Sequence, residues 1–113
     1  MNPVHADYFA GGAGEERTLR GNLAAFDRLR IVPRVLRATG DRDLRTTLFG
    51  TELATPILVA PTAFHLLAHP DGEAATALGA AAAGTVMVVS MAATQPVETI
   101  AAAGGPLWLS LIH

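Results

Sequence analysis

Along Glu15–Leu29, apolar residues recur at spacings of four and three, at Leu19, Leu23, Phe26 and Leu29. That is the stripe of an amphipathic helix, and Pro33 closes the stretch. The period changes over Asp43–Thr55, where two short apolar and Thr-rich runs flank Phe49-Gly50. This pattern predicts a small hairpin turning at Gly50, suited to act as a lid or plug. From Pro56 the pattern becomes regular. Ile57–Ala60 is a short apolar strand bounded by prolines, a polar loop follows, and Gly72–Ala83 is an Ala-rich helix. Gly84 stands where a helix C-cap belongs, Thr85–Val89 is a β-branched strand, Ser90–Gln95 is a loop, and Pro96–Ala103 is a helix opened by proline. Gly104-Gly105-Pro106 then breaks the chain before a third strand, Leu107–Ile112. Short strands that are apolar throughout and alternate with helices predict parallel pairing with both faces covered.

The expected fold is therefore α/β: the N-terminal part of a (β/α)8 barrel with about three parallel strands, preceded by helices and a small hairpin. Residues 1–56 form the helical segment and hairpin, and residues 57–113 the first strands and helices of an incomplete barrel. A closed barrel takes about 250 residues. Three strands alone would leave an apolar edge open. The reading is thus the opening part of a larger barrel, a fragment or a truncated product, with a complete three-stranded α/β domain as the alternative.

Composition refines this picture. Ala supplies 22 of the 113 residues and aromatics only 5%, so packing must rely on close backbone contact, as between helices and a sheet. All eight basic residues are Arg and lie between Arg17 and Arg45, whereas residues 57–113 carry Asp71, Glu73 and Glu98 with no Arg or Lys. The second half reads as a buried scaffold, and a phosphate bound there would need backbone N–H groups, hydroxyls or a cation from elsewhere. The net charge of -2 gives no case for nucleic acid or an anionic membrane surface as partner. With no Cys, disulfides, thiolate metal ligands and thiol chemistry are excluded, and a redox role would need a bound cofactor. Ala74–Ala93 runs 20 residues without a charge, but it is mostly Ala and is interrupted by Gly79, Gly84 and Ser90, so no membrane span is expected. The N-terminus MNPVHADYF lacks the basic and apolar regions of a secretory signal, which makes a cytoplasmic address the expectation.

The histidines offer little chemistry. His65 and His69 are four apart, but Pro70 interrupts a continuous helical pair and no carboxylate completes a metal triad in register, so no metal is expected. His69 instead orders the loop entering the helix, with Asp71 near the N-cap and Glu73 in the first turn complementing the dipole. His5 and His113 are terminal and uninformative.

One set of motifs carries a family resemblance. Asp7-Tyr8-Phe9-Ala10 precedes Gly-Gly-Ala-Gly-Glu-Glu; then come Thr18-Leu19, Asn22, Ala25-Phe26 and Pro33-Arg34-Val35-Leu36. Pro56-Ile57, Ala60-Pro61-Thr62-Ala63, His69-Pro70-Asp71-Gly72-Glu73 and Ser90 continue the series. In this order and spacing the chain resembles the first third of FMN-dependent 2-hydroxy acid oxidases and dehydrogenases. The resemblance implies a (β/α)8 barrel with FMN at the C-terminal ends of the strands, a small 2-hydroxy acid as substrate and a 2-oxo acid as product. It spans oxidases, dehydrogenases and monooxygenases alike, and leaves a homo-oligomer open.

By the resemblance, Pro61, Thr62 and Ala63 lie against the flavin ring; from pattern alone they are a Pro-led turn capping a strand. Ser90 is implied as an FMN contact, where its hydroxyl could otherwise cap the following loop. Tyr8 corresponds to a Tyr that hydrogen-bonds the substrate carboxylate, and without the resemblance it is an ordinary surface aromatic. Ala92 stands where glycolate oxidases carry a bulky aromatic, which implies room for larger 2-hydroxy acids. Its alternative role is packing under a neighbouring loop.

The third strand departs from the family, which has a Gln two places before a Tyr where this chain has Ser110 and Ile112. Ser110 remains a candidate cofactor contact. Either the substitution weakens both contacts, or Leu109–His113 come from a damaged reading frame or gene end. The stretch before Asp7 is also shorter than usual for the family, consistent with a start-site error. The resemblance places the catalytic His, the carboxylate-binding Arg residues and a Lys beside the flavin on later strands. The chain alone is then expected to be inactive. A non-catalytic remnant acting as a folding or interaction module is the alternative.

Overall fold

The computed structural model describes residues 1–37 and 40–111, which fall into two compact units, 2–42 and 43–113. In the first, α1 spans Pro3–Ala10. Asn2 caps it by accepting the N–H of Val4 at 2.9 Å, and Pro3 takes the first helical position. This helix was absent from the pattern-based reading, although the Asn-Pro pair announces it. The amphipathic helix α2 spans Arg17–Asp27, so it stops six residues before Pro33. No described residue of 2–42 is buried.

The second unit opens with the expected hairpin, β1 (Thr46–Leu48) paired antiparallel with β2 (Thr51–Leu53). Its two central residues, Phe49 and Gly50, both have positive φ (48° and 77°), as a type I′ turn requires. The Phe49 ring meets Trp108 edge-on at 5.4 Å, and Ala54 donates its N–H to Gly84 C=O at 2.9 Å. The hairpin, grouped above with the N-terminal segment, thus packs where strands begin.

Helix α3 (Gly72–Ala82) follows its Ala content, the best helix former. Its end is a Schellman motif: Gly84 at φ 65° donates to Ala81 C=O and Thr85 donates to Ala80 C=O, both at 3.0 Å. Strand β3 (Met87–Ser90) pairs in parallel with β4 (Leu107–Ser110), with α4 (Val97–Ala102) between them. The strand expected at Ile57–Ala60 is reduced to one parallel bridge, Val59 to Met87, closed by Val59 N–H to Val86 C=O (3.0 Å) and Val88 N–H to Val59 C=O (2.9 Å). Prolines at 56 and 61 remove donors on both sides and confine the pairing to this short stretch. Ile112, the last residue of the expected third strand, and His113 lie outside the described residues.

Ala77, Ala80, Met87, Val89 and Ile100 form the core, with Val59, Ala93, Ala103 and Leu107 packed against it. Helix-on-sheet packing with small residues at the contact is what the Ala content implied. Among the described residues, no helix is long and apolar enough to cross a membrane.

Candidate active site

Parallel strands send their C-terminal ends to the same side, and six of the seven candidate residues gather there. Ser90 and Ser110 are register partners at the ends of β3 and β4, and Met91 donates its N–H to Ser110 C=O at 3.1 Å. Pro61, Thr62 and Ala63 follow Val59 after a single residue, Ala60. The loop leaving Val59 joins the loop leaving β3 where Phe64 N–H donates to Ala92 C=O at 3.2 Å. Pro61 and Thr62 are exposed, and Ala63, Ser90, Ala92 and Ser110 are half-buried. Ser90 Oγ accepts the Ala92 N–H at 3.1 Å, the loop-capping role open to it from the pattern, and keeps its own O–H to donate. Tyr8 belongs to the other unit, on α1, 55% exposed and edge-on to Phe9 at 5.2 Å.

Behind this edge lies a polar cluster that the pattern-based reading missed. Glu73, credited only with a helix-dipole role, is fully buried. Its Oε1 accepts N–H from His65 (3.1 Å) and Thr94 (2.8 Å), and the Thr94 hydroxyl lies 2.8 Å from both carboxylate oxygens. Burial by itself would raise the Glu73 pKa. The backbone and side-chain hydrogen bonds from Thr94, with smaller help from backbone N–H groups including that of His65, outweigh it and hold the carboxyl below its ordinary value. Thr94 Oγ1 also accepts Leu66 N–H at 3.1 Å. A signal for this existed: Glu73, Ala77 and Ala80 are spaced four and three apart, and the two alanines are buried.

The helix entrance also differs from expectation. Asp71 occupies the N-cap position of α3, but its carboxylate makes no cap bond; Gln95 Oε1, from the loop after β3, accepts the Ala74 N–H at 2.8 Å instead. His69 does order the entrance, its Nδ1 accepting the Asp71 N–H at 3.2 Å. His65 lies in a short 3-10 turn, His65–Leu67, inside the stretch read as a plain loop. Its Nδ1 is 3.1 Å from Thr76 Oγ1.

The donor set is neutral throughout: hydroxyls, backbone N–H groups and exposed backbone, with no Arg or Lys from residue 57 onward. Such a set fits the uncharged ring system of a flavin and leaves an anionic phosphate to other groups.

Comparison with known proteins gives this edge its context. The family described as FMN-dependent dehydrogenase matches residues 1–113, and FMN is that family's cofactor. Glycolate oxidase 1 of Zea mays is 50% identical over 98 residues, covering 87% of this chain and 27% of the relative. The L-lactate oxidase of a Nostoc species is 45% identical over 111 residues, covering 98% of this chain and 30% of the relative. A mandelate oxidase variant solved with an FMN adduct superposes with a TM-score of 0.91 at 37% identity, covering 99% of this chain and 34% of that one. The chain thus spans about a third of the length of these proteins.

Proposed function

The chain belongs to the FMN-dependent dehydrogenase family, and we propose that it supplies the opening strands of a (β/α)8 barrel that oxidises a 2-hydroxy acid to a 2-oxo acid. The observation that carries this reading is the gathering of Pro61–Ala63, Ser90, Ala92 and Ser110 at the C-terminal end of parallel strands, where barrel enzymes keep their chemistry. FMN, when bound, supplies the two-electron acceptor.

The residues have distinct parts. Pro61, Thr62 and Ala63 would hold the flavin ring by contact, and the Ser90 O–H would donate to its edge. Ser110 would offer one hydroxyl where the family has a carboxamide. Tyr8 would donate its phenolic hydrogen to the substrate carboxylate, a hydrogen bond to a charged group of about 1.5 to 3 kcal/mol. Oxidation also needs a base at the 2-hydroxyl or α-carbon and a cation for the carboxylate. His65 and His69 are not assigned as that base, which the resemblance places on a later strand; their Nδ1 atoms face Thr76 Oγ1 and the Asp71 N–H. The 113 residues by themselves are therefore proposed to be inactive.

Ala92 sets the proposed substrate class. Its backbone is tied on both sides, N–H to Ser90 and C=O to Phe64, and its side chain is a single methyl group. A fixed backbone with a small side chain leaves room for aromatic or long aliphatic 2-hydroxy acids. Each methylene that fills an apolar pocket is worth about 1 to 3 kcal/mol of discrimination.

Two measurements test the reading. Flavin absorbance after desalting should be absent from the 113-residue chain and present in a version joined to the remaining two thirds of a family member. In that longer enzyme, kcat/KM should favour mandelate over glycolate, and Ala92→Trp should reverse the order. A yellow, active 113-residue preparation, or an initial preference for glycolate, would defeat the corresponding part.

A further inference from the structure

Among the described residues, Glu73 is the only charged side chain that is buried. An ionised carboxylate taken out of water is costly unless hydrogen bonds replace its hydration. Here the donors are neutral: the N–H groups of His65, Thr94 and Glu73 itself, and the Thr94 hydroxyl. An apolar side chain of similar volume would avoid the desolvation cost altogether. What it could not do is hold two separate loops.

The donors come from different strands' loops. His65 lies two residues after Ala63, in the loop leaving Val59, and Thr94 lies two residues after Ala92, in the loop leaving β3. Around this joint the same loops are stitched again, by Leu66 N–H to Thr94 Oγ1 and Phe64 N–H to Ala92 C=O. A Cβ at Gly72, just before Glu73, would lie 2.7 Å from Leu66 Cδ2 and 3.0 Å from Gln95 Oε1. Side-chain ends from both loops thus reach the helix start.

We propose that Glu73 is a positioning residue: its carboxylate ties Pro61–His65 to Ala92–Thr94, so that the two segments meet cofactor and substrate as one wall. This rests on the function proposed above. Without the carboxylate, the Phe64–Ala92 and Leu66–Thr94 bonds still join the loops, but nothing charged holds the pair against the start of α3.

Amide hydrogen exchange on the 113-residue chain, followed by NMR, tests the tie itself. Glu73→Gln, which keeps the shape and removes the charge, should speed exchange at His65 and Thr94 by about tenfold or more, because charge-assisted bonds are about twice as strong as neutral ones. The Val88 amide, bonded within the strand pairing, should keep its protection. Thr94→Val removes the hydroxyl alone and should speed exchange at Leu66; it carries the test if Glu73→Gln fails to fold. Unchanged exchange at these amides, or equal loss at Val88, overturns the tie.

Titration with millimolar FMN tests the positioning. Shifts at Ala63, Ser90 and Ala92 should require about fivefold more FMN in Glu73→Gln, or in Thr94→Val if that variant carries the test, while Val88 protection holds. Equal FMN response in the variant tested and the unmodified chain overturns the positioning role alone. No response in the unmodified chain overturns the positioning role, since the two loops then meet no cofactor as one wall; flavin retention by the longer enzyme still judges the function, and the exchange data still judge the tie.

Discussion

Residues 2–42 and residues 43–113 both carry helical apolar patterns, yet only the second builds a core. In α2, Leu23 is 70% and Phe26 75% exposed, whereas Val86 and Ile100 in the second unit are fully buried. The α2 stripe is the better amphipathic pattern, yet α3, which does bury residues, is six Ala in eleven with no such stripe. The difference lies in what each helix has beside it. α3 and α4 have β3 and its neighbours to lie on, and small side chains let backbone approach backbone. A stripe expresses a capacity to be covered, and burial needs the covering element as well.

Truncating one apolar residue in each unit breaks this comparison most sharply. Ile100→Ala removes a fully buried side chain packed on Met87 and Val89, so about 2 to 5 kcal/mol of stability should be lost in denaturant unfolding. Phe26→Ala removes a larger side chain that is mostly exposed, and the change should stay within about 0.5 kcal/mol. Comparable losses at the two positions would mean that the stripe of α2 is covered after all.

The same contrast explains what could be read from residues alone. Gly84, Pro96 and Phe49-Gly50 are local devices, so the end of α3, the start of α4 and the hairpin turn were legible within a residue or two. The first strand was less so, because its pairing depends on how much of Ile57–Ala60 survives between two prolines. At the candidate site, Ser90 could be placed at a strand end from the pattern, whereas Ser110 was read inside the longer strand Leu107–Ile112 and singled out by the resemblance. The resemblance, not the pattern, gave Tyr8 and Ala92 their roles. Gln95 capping α3 from 21 residues away, and Thr94 binding Glu73, were illegible because they join loops that only the parallel register brings together.

Two glycines in left-handed conformation, one from each unit, extend the comparison. Gly14 at φ 57° has no atom within 4 Å of where a Cβ would stand, whereas at Gly105, φ 87°, a Cβ would lie 2.6 Å from Ala81 Cβ. Gly14→Ala should cost only the left-handed strain, about 1 to 2 kcal/mol. Gly105→Ala adds overpacking against α3, a further 1 to 3 kcal/mol or about that. Equal thermal shifts for the two would show that the close approach of Gly105 to α3 is absent in solution.

Glu73 gives the second unit a pH dependence. Its folded carboxyl titrates below the ordinary range, so the unfolded chain takes up its proton first as pH falls. The contribution is fully present above the ordinary carboxylate value of about 4.3 and is lost as pH falls from there through the folded value. Glu73→Gln should cost about 1 to 3 kcal/mol at neutral pH, and the gap to the unmodified chain should narrow on acidification. A gap that stays constant from pH 7 to pH 3 would show that the carboxylate's charge contributes nothing.

The smallest effect is expected where the two units are alike. Each has a short-range surface Arg–carboxylate pair, Glu15 with Arg17 and Asp43 with Arg45, and the side chains are 58% to 82% exposed. The Asp43 carboxyl is held below its ordinary value first by the side-chain bonds from Arg45 and then by the Arg45 N–H. Solvent and salt screen such a pair, and ordering two long side chains opposes the attraction. Glu15→Gln and Asp43→Asn should therefore leave the unfolding midpoint unchanged within error, at low and at high salt. Burial separates the two units, so charges that neither unit buries should not tell them apart. A salt-dependent loss with Asp43→Asn alone would place that pair nearer the core than its exposure allows, and would make electrostatics part of what distinguishes residues 43–113 from residues 2–42.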